Sequence, residues 1–316
     1  MQVKIFEPAA FARASVASGF PKVAIVLNAF RSHEQVQGFL KAKIPVLLVM
    51  TGTDLYGALA PRNRGSEDYK KTERALLSAS AIMTLQAQAQ QEICERWPQV
   101  AGHVHCVLQT TTERKPHAPR LTAYSKTVRF LIAGHIREEK DPRTAFGAFH
   151  HAFPEGWADR ADGRKVPVRL IHVGDERDKA LAQELRRLAA RYPGVRMEGA
   201  LSHAQTMRQM TQVHALIQPS VSEGGALVVA EAVACRLPVL ASDIPAHRGQ
   251  LGAAYPGLFA VGDRHALAET LKRFVADESY QRMLAKACNA LAPRLANPQH
   301  ECDELVRLVR LVAQQN

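Results

Sequence analysis

Two glutamates eight residues apart, Glu223 and Glu231, have types and spacing that could serve sugar–nucleotide chemistry. Between them Gly224 and Gly225 open an apolar helical run, Ala226 and Leu227 onward, that reaches about Cys235. The glycines have no side chains, so the backbone N–H groups at this helix start can approach a ligand closely. Free N–H groups and the positive end of the helix favour an anion such as a diphosphate. A carboxylate farther along the helix can accept hydrogen bonds from a sugar diol beside it. The same residues also suit an acidic first turn with a glycine entry, stabilised by the helix dipole. Spacing alone leaves both readings open.

A second cluster precedes another helix. Gly134-His135-Ile136-Arg137-Glu138-Glu139-Lys140 follows a strand at Val128–Ala133, and Asp141-Pro142 supply an N-cap and a first-turn residue for a helix to about Ala152. Lys140, as a point charge, and His135 or Arg137 could hold a diphosphate there. The alternative is a charged, solvated loop.

These residues need elements to position them. The first third alternates apolar runs (Val3–Phe6, Val23–Leu27, Val46–Met50, Ala81–Leu85, Val104–Leu108) with helix-compatible segments, which argues for a parallel α/β sheet. Ligands on such sheets bind outside the carboxyl ends of the strands. Candidates there are Arg31, the run Thr51-Gly52-Thr53-Asp54, Gln86 and Gln109, each of which also suits an ordinary turn or solvated loop. Residues 110–126 are polar, carry two prolines and lack periodicity, so they read as a linker. A second alternation follows: strands at Val168–Val173, Val195–Glu198, a run ending at Pro219, and Pro238–Ala241. Helices are expected at Lys179–Arg191, His203–Val213, Arg264–Ala276 and Ser279–Ala290. Pro293 and Pro298 interrupt before an amphipathic helix at His300–Ala313.

The 316 residues allow two ordinary domains, and 47% hydrophobic with 22% charged residues is a globular balance. No apolar run reaches the roughly 20 residues that span a bilayer, and the first 20 residues lack a signal-peptide pattern. Five cysteines without a Cys-x-x-Cys pair fit a reducing cytoplasm, the expected location. The net charge of +11 is scattered rather than blocked, which points to phosphorylated small molecules and away from nucleic acid. His103-x-His105 on a strand would share a face, but no third ligand is evident, so no metal is expected. There is no Gly-x-Ser-x-Gly elbow and no Walker loop. Nothing in the sequence fixes the oligomeric state.

Pro219-Ser220, Glu223-Gly224-Gly225, Glu231 and the closing Pro238-Val239-Leu240-Ala241-Ser242 together resemble the family 4 glycosyltransferases. The resemblance implies a GT-B fold: α/β, two Rossmann-like parallel-sheet domains facing a cleft. It implies that Glu223 contacts the donor sugar, Glu231 the nucleotide ribose, and the backbone near Leu201 the base. The family motif Gly-Arg-x-x-x-Glu-Lys supplies two phosphate cations. Glu139 and Lys140 match it, whereas His135 stands where the arginine is expected, with Arg137 as a substitute. The implied domains are 1–118 on the acceptor side, 119–295 for the nucleotide sugar, and 296–316 as a helix returning to the first.

Thr51–Tyr56, Leu85-Gln86, Gly134–Pro142, Glu223–Glu231, Ala241–Pro245 and Leu251–Asp263 resemble one subgroup, the selenosugar synthases of selenoneine biosynthesis. That resemblance implies a UDP-sugar donor, UDP-N-acetylglucosamine above all, and selenophosphate as the nucleophile. It also implies a retaining transfer with no cofactor and no covalent enzyme intermediate. The start departs from the subgroup: no Gly-Asn loop follows the first strand, and Asn28 and Phe30 differ from the His and Arg expected. The N-terminal domain is therefore expected to be short by a strand, loop and helix. Two alternatives stay open: a family 4 glycosyltransferase acting on a carbohydrate, lipid or small-molecule hydroxyl, and a catalytically degenerate nucleotide-sugar-binding protein.

Overall fold

The computed structural model describes residues 21–115, 117–122 and 125–314, so the strand expected at Val3–Phe6 lies outside the described residues. The chain divides into two compact units, one running to Leu108 and including Gln299–Asn316, the other Gln109–Pro298.

In the first unit, β1 (Ala24–Leu27), α1 (His33–Lys41), β2 (Val46–Val49), α2 (Glu67–Ser78), β3 (Ala81–Thr84), α3 (Ala87–Arg96) and β4 (Val104–Cys106) alternate. The four strands pair in chain order, all parallel. All four β2 residues are buried because both faces are covered. Val46 and Leu48 join Val36, Phe39, Leu76 and Ile93 on one side. Leu47 and Val49 meet Leu308, Val309 and Val312 of the C-terminal helix, Pro298–Ala313, on the other. The continuous apolar run of β2 is the pattern of a strand covered on both faces. His103 ends a short 3-10 turn ahead of β4, so it does not share a strand with His105.

The second unit holds β5 (Val128–Ala133), α4 (Pro142–Ala152), β6 (Trp157–Asp159), β7 (Lys165–Val173), α5 (Lys179–Arg191), β8 (Val195–Gly199) and α6 (His203–Met210). It continues with β9 (Ala215–Gln218), α7 (Leu227–Ala234), β10 (Val239–Ser242), α8 (Pro245–Leu251), β11 (Leu258–Phe259), α9 (Arg264–Ala276) and α10 (Glu278–Leu295). Its parallel strands run β8-β7-β5-β9-β10-β11, the doubly wound order. Chain direction across the sheet reverses between β5 and β9, and the loops beyond their carboxyl ends carry residues 134–141 and 219–226. Residues 109–115, 117 and 118 run with this unit: the N–H groups of Thr111, Arg114 and Ala118 donate to the carbonyls of Leu295, Ala234 and Cys235. Polar side chains made that stretch read as a linker, while its backbone is hydrogen-bonded.

Three local features depart from the sequence reading. β6 forms a hairpin with the start of β7, turned at Asp162-Gly163, a hairpin signal the apolar-run search passes over. A helix, α8, occupies Pro245–Leu251, with Pro245 in its first turn where no N–H is required. The α10 helix runs through Pro293. Proline lacks the N–H that would bond Asn289 O, and the Arg236 guanidinium donates to that carbonyl at 3.2 Å instead.

Gly174, just past β7, packs against the carbonyl of Gly134 at the root of the β5 loop. A Cβ built on Gly174 would lie 1.9 Å from Gly134 O and 2.5 Å from its carbon. Gly174→Ala is therefore expected to lower stability by about 1–3 kcal/mol, as overpacking does. Urea unfolding measures this, and an unchanged midpoint would show the backbones are not in such contact.

Candidate active site

The carboxyl ends of β5 and β9 converge on one carboxylate oxygen. Glu223 Oε1 accepts hydrogen bonds from Lys140 Nζ at 2.6 Å, Gln218 Nε2 at 3.0 Å and Ser220 Oγ at 2.7 Å. The backbone reinforces the link: Val221 N–H donates to Glu139 O at 2.9 Å. Behind this, the Ser242 hydroxyl, at the end of β10, donates to the carbonyl of Ser220. The His247 Nδ1–H then donates to the carbonyl of Ser242 at 2.7 Å. A carbonyl only accepts, so the proton sits on Nδ1, and burial depresses the His247 pKa, keeping the ring neutral. The sheet thus fixes Lys140 and Glu223 as a pair through side chains from three strands' ends.

His135 lies on the same loop as Lys140 and is exposed. Its Nδ1 accepts the Asp175 N–H at 3.1 Å, which puts the ring proton on Nε2. Partial burial, then the cations Arg177 and Arg137, lower its pKa. His135 is therefore a neutral Nε2–H donor, able to hydrogen-bond a phosphate without adding charge. Arg137 is half-exposed and lies 3.5 Å from Glu139. The positive charge on this loop comes from Lys140 and Arg137.

The α7 helix begins at Leu227 with Ala226 at its N-cap and no side chain capping it. In the first turn the Leu227 and Val229 N–H groups donate to the carbonyls of Gly225 and Ala226, at 3.0 and 2.9 Å, and no side chain accepts from the turn, which leaves the positive helix end to favour an anion. Glu231 is the fifth residue of this helix and is buried, 7% exposed. Its Oε1 lies 2.6 Å from His203 Nε2. His203 opens α6, and Leu201, half-buried, lies two residues earlier, just past β8.

In the first unit the Thr51–Asp54 run is organised internally. Asn28, in a left-handed conformation at φ 66°, donates from Nδ2 to Thr51 Oγ1 at 2.8 Å and Thr53 Oγ1 at 2.9 Å. Asp54 is fully buried, and its oxygens accept the N–H groups of Ala29, Thr51, Gly52 and Leu55. Burial pushes its pKa up while those four N–H groups pull it down. Asp54 therefore pins the β1 and β2 loops together and offers no oxygen to a ligand. Gln86 is buried too, capping α3 through Ala89 N–H and donating to the Tyr56 hydroxyl at 3.1 Å. Gln109 belongs to the second unit, and its Oε1 is buried without a partner.

Arg31 remains exposed at a concavity of about 370 Å³, with Phe30, Thr53, Asn63, Ser66 and Asp68. Asn63 escaped sequence reasoning because a polar residue in an irregular loop carries no periodic signal. Gln218, Ser220 and His203 escaped for another reason: their roles depend on contacts with groups that strand and helix patterns do not bring together. Among the described residues no group of three or more His, Cys, Asp or Glu could hold a metal ion. No helix of the described residues is long and apolar enough to cross a membrane.

Known proteins share this arrangement of elements. A sucrose-phosphate synthase from Thermosynechococcus elongatus superposes with a TM-score of 0.72 at 20% identity, covering 98% of this chain and 77% of its own. HepE of Anabaena, solved with UDP and glucose, gives 0.73 at 14% identity, with 95% and 81% covered. An α,α-trehalose-6-phosphate synthase from Burkholderia multivorans gives 0.71 at 14% identity, with 98% and 78% covered. These likenesses establish the GT-B fold, two Rossmann-like units. The sequence itself matches the family described as glycosyl transferases group 1 over residues 113–290, more than half of its length. The chain belongs to the glycosyl transferases group 1 family.

Proposed function

We propose that this glycosyltransferase uses a UDP-sugar, UDP-N-acetylglucosamine in particular, and transfers the sugar to selenophosphate with formation of a carbon–selenium bond. The observation that carries the donor half is the Lys140–Glu223 pair at the β5/β9 reversal, with the start of α7, which no side chain caps, following in the chain and Glu231 on that helix. HepE, of the same fold, binds UDP and glucose. In this reading Glu231 receives the ribose hydroxyls and Glu223 the sugar hydroxyls, while Leu201 lies beside the base. Lys140 and Arg137 offset charge on the diphosphate as the sugar C1–oxygen bond breaks and its electron pair leaves with UDP. His135 Nε2–H adds a neutral hydrogen bond.

The acceptor half rests on the first unit and on the subgroup resemblance. Asp54 is consumed by backbone N–H groups, whereas Arg31 stands exposed at its concavity. A guanidinium suits an anionic acceptor better than a neutral polyol. Selenophosphate is such an anion, and its polarisable selenium can attack C1 without a strong general base. Front-face attack would retain the anomeric configuration without a covalent enzyme intermediate.

Three outcomes are expected. Glu231→Ala should weaken UDP binding by about 1–3 kcal/mol in calorimetric titration, the worth of a hydrogen bond to a charged group; unchanged affinity would remove Glu231 from the site. EDTA should leave turnover intact, because side-chain cations and helix N–H groups meet the phosphates; activity abolished by EDTA and restored by magnesium would contradict this. Finally, protein with UDP-N-acetylglucosamine and freshly made selenophosphate should release UDP and yield a sugar with a selenium isotope pattern in mass spectrometry. UDP release only with a carbohydrate or lipid hydroxyl would favour the other acceptor class, and binding without turnover a degenerate binding protein.

A further inference from the structure

Glu231 is enclosed by α7, yet its carboxylate meets one partner at the surface. His203 Nε2 lies 2.6 Å from Oε1, and among the described residues no other group hydrogen-bonds this carboxylate. A carboxylate only accepts, so Nε2 donates. The His203 side chain is 60% exposed and that of Glu231 9%, so the imidazole stands on the solvent side of a sheltered acid. Its backbone is held separately. Ser202 and Gln205 form a reciprocal capping box, each side chain taking the other's N–H, which fixes the start of α6 without using the imidazole. His203 can therefore rotate into solvent while its helix stays in place.

A ribose diol that engages both oxygens of Glu231 would need Oε1, which His203 now engages, as well as Oε2. Resting on the reading of Glu231 as the ribose acceptor, we infer that His203 is an internal competitor that screens the ribose subsite. A nucleotide displaces it by bringing hydroxyl donors that replace the lost imidazole bond. A ligand without those hydroxyls gains nothing by displacing His203. The contact lowers apparent UDP affinity by the fraction of molecules in which it is closed. Because a ligand lacking the hydroxyls leaves the contact closed and loses nothing to it, the contact narrows the preference for ribose-bearing ligands, which makes His203 a specificity-determining residue.

Calorimetric titration of the full chain and its variants with UDP and with 2′,3′-dideoxyuridine 5′-diphosphate tests this. His203→Ala, an exposed first-turn change with the capping box intact, should bind UDP about three- to tenfold tighter, as release of a mostly closed state requires. Its affinity for the dideoxy nucleotide should not change. His203→Gln, which keeps a donor, should fall between wild type and His203→Ala. Weaker or equal UDP binding by His203→Ala, alongside weakened binding by Glu231→Ala, would overturn the inference and leave the ribose reading standing. Unchanged UDP binding by Glu231→Ala would remove both.

Discussion

One oxygen, Glu223 Oε1, accepts hydrogen bonds from Lys140, Gln218 and Ser220, and through them joins the two loops at the reversal of the sheet. Lys140 arrives from the loop after β5; Gln218 ends β9 and Ser220 lies just beyond. Hydrogen bonds to a charged acceptor contribute about 1.5–3 kcal/mol each, more than neutral ones. That convergence fixes the ammonium and the carboxylate in a common position. The Ser242 and His247 bonds extend the constraint to β10 and α8. The loops after β5 and β9 are therefore organised by the sheet rather than by their own sequences.

The charges around this point are selective. His247 is kept neutral by burial, and His135 by partial burial together with neighbouring arginines. Positive charge is left to Lys140 and Arg137. In the first unit a different constraint governs: Asp54, buried, is held by four backbone N–H groups, while Asn28 ties the Thr51 and Thr53 hydroxyls. Both units use a carboxylate as an anchor for loops after parallel strands. In the second unit the anchor Glu223 remains partly accessible, whereas in the first it is sealed.

The parallel strands were legible from apolar runs, and the helix at Pro142 from its cap, Asp141; Asp178, Ser202 and Asp263 also accept first-turn N–H groups. Lys140, Glu223 and Glu231 were legible from motif spacing, since each follows a strand or lies early in a helix. What escaped were relations across the chain. Nothing near Asp54 in sequence indicates that Ala29 N–H will consume its oxygen. Nothing near Pro293 indicates that Arg236 will bond the carbonyl the proline leaves free. Likewise, the acid in Thr-Gly-Thr-Asp has the composition of a ligand-binding turn and the packing of a structural one.

We place the nucleotide diphosphate at the β5/β9 reversal of the second unit. A crystal structure of the protein soaked with UDP tests this placement most directly. The placement predicts ribose hydroxyls within hydrogen-bond distance of Glu231, with the diphosphate between Lys140 and the N–H groups opening α7. UDP bound elsewhere, with Lys140, Glu223 and Glu231 untouched, would contradict it.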